Sequence, residues 1–585
     1  MLGKIIGIVD GKVKVGLTID IYKVYNLIGK NVVFESDKKI VGEVTDVYNN
    51  VMDIHLVGEI KNNEFIYGNI DKPSFGSICR LIDEKELDIV FGIDKTANAI
   101  TLGKSYVYDK YDIKLNVNNF FANHFAILGN SGSGKSYSVS RIFQNLFYEA
   151  KYLPYNINIF LFDAYGEYQQ AFSKISEVNP NLNYKVYTTN LKDDQYERLC
   201  IPFWLLGLDE IALLLDVTSA NQLPVLEKAL KLVGYFTKEE TKVINQKNDI
   251  IARCLLDIIF GGKTPMEVNN RITSILTKFN TSTLNLEILL SKGGWTRSVR
   301  QCLFVDEQGK FADIELVINF LQEFLDDSFE LTLPDGSFAY GLEEFSKALE
   351  FALISEGVLT SEKIFDYANV LKIRLNALMN SDYASYFDYP TFTTRDQYIR
   401  SLITTKTGGK AQIINFNINY VNDRFAKSLV KIYSKMLFDY IVNIIPRASM
   451  PFHIVLEEAH RYIQKDKDVE ILGYNIFERI AKEGRKYGIL LGIISQRPCE
   501  ISETVISQCS NFLTFKMFHP LDLQFIRDVI PNTDENMTNQ MKALHPGTCM
   551  IFGTAFKMPV LVAMGLPNPS PLSDSCNIDN TWYVK

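Results

Sequence analysis

Histidine and cysteine are scarce in this chain, and neither is arranged for metal binding or redox chemistry. Its 585 residues include six histidines and eight cysteines, with no C-x-x-C pair and no histidine at metal-ligand spacing. Such spacings mark structural zinc sites and redox-active dithiols, so the sequence disfavours both. We expect reduced core thiols at Cys79, Cys200, Cys254, Cys302, Cys499, Cys509, Cys549 and Cys576.

Long hydrophobic runs and a strong net charge are also missing. No uninterrupted apolar stretch approaches the roughly 20 residues that span a bilayer, and the N-terminus lacks a charged segment followed by an apolar one. The formal net charge of −8 excludes a surface that is basic all over, although a local basic channel would barely change this sum. We therefore expect a cytoplasmic protein without membrane contact, in which any nucleic-acid contact is confined to one place.

The length of the chain requires several domains. One hydrophobic core does not hold so many residues, and about two to four domains are expected. Residues 1–115 contain short runs rich in Val and Ile, broken by Gly, Asn or Asp, which predict a small all-β barrel or sandwich. No catalytic set of residues occurs there. Such a module serves docking or assembly, or it only caps the next domain.

The stretch GNSGSGKS matches the phosphate-loop pattern G-x-x-x-x-G-K-[ST]. It follows the apolar run Phe125–Leu128 and opens a segment with apolar residues at helical spacing, which predicts strand, loop and helix. Glycines let backbone N–H groups turn toward phosphates, and the helix N-terminus adds positive charge. We predict that Lys135 reaches the β and γ phosphates of ATP and that the Ser136 hydroxyl binds Mg²⁺. The predicted nucleotide-binding loop consists of Gly129, Asn130, Ser131, Gly132, Ser133, Gly134, Lys135 and Ser136.

A second apolar run, Ile157–Phe162, ends in the segment D-A-Y-G-E-Y. A continuous apolar run bounded by polar turns predicts a parallel strand buried on both faces. Open α/β sheets bind ligands at the carboxyl ends of their strands, so Asp163 and Glu167 are predicted to lie near the metal or the attacking water. Lone acids at such positions are also typical of helix caps and solvated turns.

The sequence pattern changes twice in the second half of the chain. Long amphipathic segments dominate residues 201–395 and predict a helical insertion. Four strand-like runs separated by helical segments then predict a wound parallel sheet: Ala411–Ile418, Phe452–Leu456, Gly488–Ile494 and Asn511–Met517. The α/β core is thus split into residues 116–200 and 396–566, which must rejoin in space. A terminal hairpin and an extended tail over residues 567–585, which could reach a neighbour, complete the chain.

Two adjacent glutamates close the run F-H-I-V-L and resemble the acids of a Walker B strand. This chemistry needs one acid to hold the Mg²⁺ shell and a second to orient the attacking water. We assign Glu457 to the metal and Glu458 to catalysis. A glutamate pair at a strand end is also typical of solvated charge, but the phosphate loop upstream favours catalysis.

The segment KEGRKYGILLGIISQRP joins a basic helix end to a strand. Gln496, at the end of that strand, could sense the γ-phosphate through its amide. The planar guanidinium of Arg485 could be offered to the nucleotide of a neighbouring subunit as an arginine finger. It fits equally well as a cation that stabilises a helix C-terminus, and both interpretations stay open.

These motifs occur in the order GNSGSGKS, DAYGEY, LEEAH and EGRKYG followed by SQRP, and they resemble the HerA family of hexameric DNA-translocating ATPases in the HerA/FtsK superfamily. The resemblance covers nearly the whole chain. It implies an α/β fold, with a RecA-like P-loop NTPase core that carries a helical insertion and follows a HAS-barrel-like domain. It also implies ATP and Mg²⁺ as cofactors, a homohexamer, and double-stranded DNA in a central pore.

Motif by motif, the resemblance makes Glu458 the catalytic acid, Gln496 the sensor and Arg485 the finger that acts on the next subunit. Glu457 stands where many relatives have Asp, so the extra methylene changes the metal geometry while the carboxylate is retained. The resemblance further implies an effector docked on the barrel, either a nuclease or a sirtuin-like NAD-consuming enzyme, in DNA end processing or antiviral defence.

The TTKTGGK loop supplies candidate DNA contacts. Lys406 and Lys410 lie on either side of a glycine pair, and lysines in such a flexible loop can follow phosphates without reading bases, although an ordinary solvated loop has the same composition. A competing hypothesis for the whole protein is a ring scaffold that assembles on nucleotide and organises an effector without translocation. A metabolic kinase is disfavoured by the size of the insertion and by the finger.

Overall fold

The structure of the chain is a computed structural model that describes residues 1–9, 12–19, 26–68, 71–93, 98–149, 152–238, 240–359, 362–530, 535–573, 578 and 582. Cys576 and most of the tail after residue 573 lie outside these residues. The other cysteines named above are free thiols. Within the described ranges, no helix combines the length and the apolar character needed to cross a membrane.

The N-terminal domain is a small antiparallel barrel. Its strands are β1 (Gly3–Val9), β2 (Lys12–Leu17), β3 (Asn31–Glu35), β4 (Lys39–Tyr48), β5 (Val51–Lys61), β6 (Glu64–Tyr67) and β7 (Ile78–Leu81). The sheet order is β2-β1-β7-β3-β4-β5-β6, and a further pairing of β2 with β5 closes six strands into a barrel. The predicted β-barrel is therefore confirmed.

Every second side chain of the strands points into the barrel and fills it. A cluster of charged side chains holds a helix against the outside of the barrel. Val13 and Val15 on β2 are fully buried, as the period-2 pattern of a strand requires. Helix α1 (Glu84–Phe91) begins at Asp83 with a capping box formed with Glu86. The buried Glu86 carboxylate accepts hydrogen bonds of 2.8 Å from Arg80 on β7 and 2.9 Å from Lys39 on β4. These charge-assisted bonds fix α1 against the barrel.

The remaining strands form one large sheet and a separate hairpin. The sheet contains β8 (Ala99–Ser105), β9 (Asp112–Asn116), β10 (His124–Leu128), β11 (Ile159–Asp163), β12 (Asn183–Thr188), β13 (Glu197–Arg198), β16 (Ala411–Asn417), β17 (Phe452–Leu456), β18 (Ile489–Ser495), β19 (Cys509–Thr514), β20 (Thr548–Gly553) and β21 (Val560–Met564). The hairpin consists of β14 (Leu289–Lys292) and β15 (Trp295–Ser298).

The helices follow the strands in chain order. The core helices before the insertion are α2 (Val117–Phe121), α3 (Lys135–Tyr148) and α4 (Ile175–Val178). The insertion contains α5 (Leu208–Leu214), α6 (Leu223–Phe236), α7 (Glu240–Phe260), α8 (Pro265–Lys278), α9 (Val299–Cys302), α10 (Ile314–Gln322), α11 (Leu342–Leu359) and α12 (Glu362–Met379). After it come α13 (Arg395–Leu402), α14 (Asp423–Val442), α15 (Asp468–Leu472), α16 (Ile476–Arg479), α17 (Arg485–Tyr487), α18 (Glu503–Ser507), α19 (Pro520–Val529) and α20 (Glu535–Ala543).

The large sheet has a larger parallel part and a smaller antiparallel part. Its order is β13-β12-β16-β11-β17-β18-β10-β19-β20-β21-β8-β9. The strands from β13 to β19 are parallel, and those from β20 to β9 pair antiparallel. Strands from before the insertion lie between strands from after it, so the split core rejoins. The predicted α/β P-loop fold is confirmed.

Strand β8 and all but the last residue of β9 lie inside the segment 1–115 that we predicted as barrel, yet both strands pair in the large sheet. β8 lies against β21, and Asn145 on α3 donates a hydrogen bond of 2.6 Å to the Thr101 carbonyl on β8. The barrel contacts the segment between β8 and β9, where the Tyr108 hydroxyl accepts a hydrogen bond of 2.8 Å from the amide of Asn31 on β3. Apolar and polar residues alternate in the same way in a barrel strand and in a strand of the large sheet, so this pattern does not show to which sheet a strand belongs.

The helical insertion is part of the same hydrophobic core as the sheet. Its buried side chains, including Leu226 and Leu255, form one cluster with Phe160 and Phe416 on one sheet face. Helix α3 covers the opposite face, where Phe143 packs in a second cluster. The parallel strands are therefore buried on both faces, and their carboxyl ends form an edge at which loops converge.

Candidate active site

The phosphate loop connects β10 to α3 and is shaped by three glycines with positive φ. Gly129, Gly132 and Gly134 have φ values of +157°, +70° and +106°. A Cβ on Gly134 would lie 3.0 Å from the Cα and N of Gly547, and one on Gly129 would lie 2.5 Å from the Cβ of Phe515. Only glycine fits so close to a neighbouring backbone, which explains the pattern of this loop.

The loop presents backbone donors at a helix N-terminus. Gly129 and Asn130 donate their N–H groups to the carbonyls of Ser495 and Lys516 at 3.1 and 3.0 Å, which anchors the start of the loop. Within the described ranges, the N–H groups of Gly132, Gly134 and Ser136 have no backbone acceptor. Together with the positive end of α3, they form a cradle for an anion such as a phosphate.

Lys135 is a buried cation next to this cradle. Its side chain is 9% exposed and donates a hydrogen bond of 2.9 Å to the Asn130 carbonyl. Burial lowers the pKa of Lys135, and the nearby carboxylates of Glu458, Glu457 and Glu167 oppose this shift. The ammonium group is therefore placed where an anionic ligand would stabilise its charge.

Asp163 and Glu457 form a buried carboxyl pair at the ends of the neighbouring strands β11 and β17. Asp163 accepts hydrogen bonds of 2.9 Å from the amides of Glu167 and Tyr168 and of 3.1 Å from the Asn415 side chain. Glu457 Oε2 accepts one of 2.9 Å from the Ala164 amide. Burial raises the pKa of both carboxyl groups, and the charge of Asp163 raises that of Glu457 further. Asp163 therefore shapes the turn that carries Glu167.

Glu167 lies near Ser136 of the phosphate loop. Burial raises its pKa, while the hydroxyls of Ser136 and Ser573 lower it. Its Oε2 is buried and has no hydrogen-bond partner among the described residues. A buried carboxylate oxygen without a partner is costly unless a ligand or a cation completes it, so the residues present fit a nucleotide with Mg²⁺.

Glu458 is held in an unusual backbone conformation. Its φ and ψ are +48° and +45°, the left-handed region that non-glycine residues seldom adopt. Such local strain is common at functional sites, and here it accompanies a carboxylate that is 8% exposed. Burial raises the pKa of Glu458, and the positive charges of Lys135 and Arg461 lower it. Its Oε2 lies 3.2 Å from His460 Nδ1.

Gln496 and His460 complete this side of the site. The Gln496 side chain lies close enough to Glu458 to lower the pKa of its carboxyl group. His460 Nδ1 also lies 3.1 Å from the Ser495 hydroxyl at the end of β18. Sequence reasoning gave no role to His460, Asn415 or Ser495. Their signal was weak, because each is a single polar residue within a strand or close to its end.

Arg485 is not part of this cluster. It stands before β18, whereas Gln496 stands after it, and a seven-residue strand separates the two by about 20 Å. The side chain is exposed and, within the described ranges, forms no ion pair with a carboxylate. It borders an open polar groove together with His124, at the start of β10, and Lys482. The structure thus places Arg485 at the sheet edge opposite its own phosphate loop.

Lys406 and Lys410 also lie away from the cluster. Their loop closes through a bridge between Thr404 and Lys410 and leads directly into β16, at the amino ends of the parallel strands. Lys406 is exposed, whereas Lys410 is half-buried and burial lowers its pKa to about 8.

The arrangement can bind and hydrolyse a nucleoside triphosphate. A phosphate loop with its lysine and serine faces two strand-end glutamates and a glutamine, all brought together from three neighbouring strands of a parallel sheet, β17, β18 and β10. No group of three or more His, Cys, Asp or Glu in the described ranges could hold a metal ion on its own. Mg²⁺ at such sites uses one or two protein ligands together with phosphate oxygens. Fold and site define a P-loop ATPase.

Comparisons with known proteins narrow this class. The family described as "Helicase HerA, central domain" matches residues 100–290. The curated "DNA double-strand break repair helicase HerA" of Sulfurisphaera tokodaii is 24% identical over 519 residues, covering 88% of this chain and 78% of that protein. The protein of the same name from Sulfolobus acidocaldarius is 23% identical over 582 residues, covering 98% and 90%. These findings confirm the resemblance to the HerA family.

Solved structures that the chain matches include VirB4 of Thermoanaerobacter pseudethanolicus, with a TM-score of 0.40 and 10% identity over 81% of this chain and 97% of that one. The plasmid coupling protein TrwB in complex with ADP and Mg²⁺ has a TM-score of 0.42 and 12% identity, covering 84% of this chain and 95% of that one.

Proposed function

We propose that this ATPase is a translocase or helicase for double-stranded DNA that works in the cytoplasm as a homohexameric ring. The curated relatives are named as DNA double-strand break repair helicases, which supports DNA as the substrate. The observation that carries the proposal is the position of Arg485, exposed at the sheet edge opposite its own phosphate loop. A site completed by a neighbour needs head-to-tail contacts, and a closed ring satisfies every one of them.

Each residue of the site has a separate task in this proposal. Lys135 and the loop amides bind the phosphates, and Ser136 and Glu457 would hold Mg²⁺, which neutralises phosphate charge when bound. Glu458 accepts a proton from the attacking water, and Gln496, whose side chain lies next to Glu458, senses the γ-phosphate through its amide. Arg485 of the adjacent subunit stabilises the charge that develops as the phosphate bond breaks.

Mixed rings test the shared site. Arg485→Ala and Glu458→Gln rings should each lose ATP turnover, whereas Arg527→Ala, an exposed arginine on α19, should leave it unchanged. Equal amounts of the two inactive proteins should recover about a quarter of wild-type turnover per site, because random assembly places an intact Glu458 beside an intact Arg485 at that frequency. No recovery in rings that demonstrably co-assemble would show that Arg485 does not act on a neighbour.

Translocation and scaffolding are separated by a second experiment. A DNA-bound roadblock should be displaced from a duplex in an ATP-dependent manner, and Lys135→Ala should abolish displacement. A ring scaffold predicts ATP turnover without displacement. Lys406 and Lys410 are proposed to contact the DNA backbone, and Lys406→Ala should then weaken binding equally for all sequences and reduce the salt slope by about one.

The barrel is proposed to dock the effector, a nuclease or a sirtuin-like NAD-consuming enzyme active in DNA end processing or antiviral defence. Exposed apolar side chains on the barrel support a protein contact there: Ile6 is 57%, Phe75 65% and Ile78 49% exposed. Ile78→Asp should abolish co-elution with the purified effector, whereas Lys4→Ala should not. Unchanged co-elution of Ile78→Asp would move the docking surface elsewhere.

A further inference from the structure

The C-terminal segment 567–573 returns to its own ATPase core and lies beside the nucleotide site. Every second residue is a proline, at positions 567, 569 and 571, which holds the segment extended before it binds and leaves few backbone donors. Pro567 and Pro571 are buried against the core. A tail with these properties loses little conformational entropy when it docks.

Gln144 on α3 binds the backbone of this segment. Its side chain is fully buried, and its Oε1 accepts a hydrogen bond of 2.8 Å from the Asn568 amide. Its Nε2 donates to the Pro569 carbonyl at 2.8 Å and to the Ala171 carbonyl at 2.7 Å. A buried amide with both donors and its acceptor satisfied forms a specific contact, and here two of the three bonds go to the tail.

The flanking residues extend this contact on both sides. The Tyr148 hydroxyl donates to the Asn568 carbonyl at 3.3 Å, and Gln170 Nε2 donates to the Ser570 carbonyl at 3.0 Å. Three consecutive tail carbonyls therefore accept from core side chains. Since Tyr148 lies on α3 and Gln170 lies after β11, the segment connects the two elements that enclose the nucleotide site.

The segment ends at Glu167. The Leu572 amide donates a hydrogen bond of 2.7 Å to the Glu167 carbonyl, while the Glu167 amide donates to Asp163. Both backbone groups of Glu167 are thus fixed, one by Asp163 and one by the tail. Ser573 also lies close enough to the Glu167 side chain to lower the pKa of that carboxyl group, as does Ser136 of the phosphate loop.

We propose that residues 567–573 form a strap that positions Glu167 against Ser136 within the same subunit, and that Gln144 is the positioning residue that holds the strap. This inference rests on the proposed role of the site in ATP hydrolysis. Without the strap, the Glu167 carbonyl loses its partner and its side chain loses Ser573, so the carboxylate is free to turn away from the Ser136 hydroxyl. The strap acts on turnover and leaves phosphate binding by Lys135 and the loop amides intact.

The test uses the full chain and a chain that ends after Leu566, both compared for ATP turnover and for affinity for a non-hydrolysable ATP analogue. We expect the shortened protein to lose about ten-fold in kcat, the effect of one lost orienting interaction, with analogue affinity within about two-fold of the full chain. A synthetic peptide of residues 567–573 should restore kcat in a saturable manner. Gln144→Leu in the full chain should reproduce the loss, and the peptide should not correct it.

Matched controls separate loss of the strap from a general loss of folding or assembly. In the full chain, Ser570→Ala should leave kcat unchanged, because Ser570 contacts the core through its carbonyl, whereas Ser573→Ala should lower kcat. An unchanged kcat in the shortened protein would refute the strap. A loss of kcat that is explained entirely by a smaller number of subunits per particle, as measured from the particle mass, would also refute the strap. Absence of ATP turnover in the full chain would refute the proposed function instead, and an unfolded Gln144→Leu protein leaves the peptide experiment decisive.

Discussion

Two glycines of the phosphate loop should differ sharply in their tolerance of alanine. Gly134 has a φ of +106°, outside the left-handed region that alanine reaches, whereas the φ of Gly132 is +70°, at its border. An alanine Cβ at position 134 would lie 3.0 Å from the backbone of Gly547, but one at position 132 would have no neighbour within 4 Å. Gly547 has little freedom to move away, because its amide donates to the Ser133 carbonyl at 2.9 Å.

The magnitudes follow from this geometry. For Gly132→Ala, the only cost is the free energy of holding alanine in the left-handed conformation, about 1 kcal/mol, which corresponds to an approximately five-fold weaker nucleotide affinity. Gly134→Ala adds a more strained backbone and a contact with a fixed neighbour, for a total of about 2–4 kcal/mol. Nucleotide binding requires the native loop, so the affinity of Gly134→Ala should fall by about 30-fold or more.

Titration of each purified variant with a fluorescent ATP analogue measures this difference. Thermal unfolding of the same samples shows whether the fold is retained, since the strain is confined to the loop. The reasoning is wrong if Gly134→Ala binds within about two-fold of Gly132→Ala, because the close approach of Gly547 would then have no energetic consequence.

Three further outcomes are expected. Glu458→Gln should lower kcat by about 100-fold or more while analogue binding is retained, whereas Lys135→Ala should lose binding itself; equal loss of binding in both would contradict the assignment. If Lys410 contacts DNA, its contribution to DNA affinity should disappear as the pH rises past about 8, because burial lowers the pKa of Lys410 to about 8 and only the protonated amine attracts phosphate. Lys410→Ala should remove this pH dependence of DNA affinity, and Lys406→Ala should not. Hydrogen bonds from Arg80 and Lys39 help lower the pKa of Glu86 to about 2. The stabilisation that Glu86 gives the barrel is therefore present above its ordinary pKa of about 4.5 and is lost as the pH falls toward 2. Glu86→Gln should lower the free energy of unfolding by about 1–3 kcal/mol at pH 7 and flatten the acid dependence of barrel unfolding.

The chain of motifs predicted much of the fold because each signal was local. The phosphate loop, the buried run before Asp163 and the four later runs correspond to β10, β11 and β16 to β19. Strand β12 was missed, since its six residues mix polar and aromatic side chains and its only cue was alternation. Pairing partners far apart in sequence also escaped prediction, which is why β8 and β9 were assigned to the barrel.

The site was predicted more fully in composition than in geometry. Residue types and order led to Lys135, Glu457 and Glu458, and the structure brings them together. The orientation of each carboxylate depends on burial and on backbone donors, which no motif records. Asp163 therefore directs its oxygens to turn amides, and Gln144 binds the tail through contacts between residues far apart in the chain.

The interleaving of the large sheet has a consequence for biosynthesis. The strand that carries the phosphate loop, β10, has β18 and β19 as its two neighbours, and the ribosome reaches residue 489 only after the whole insertion has been made. Until then β10 has two unpaired edges and five buried-type residues without a partner. Such edges promote association between chains, and non-local strand pairing slows folding. The nascent chain should therefore depend on chaperone protection between completion of the barrel and emergence of β19.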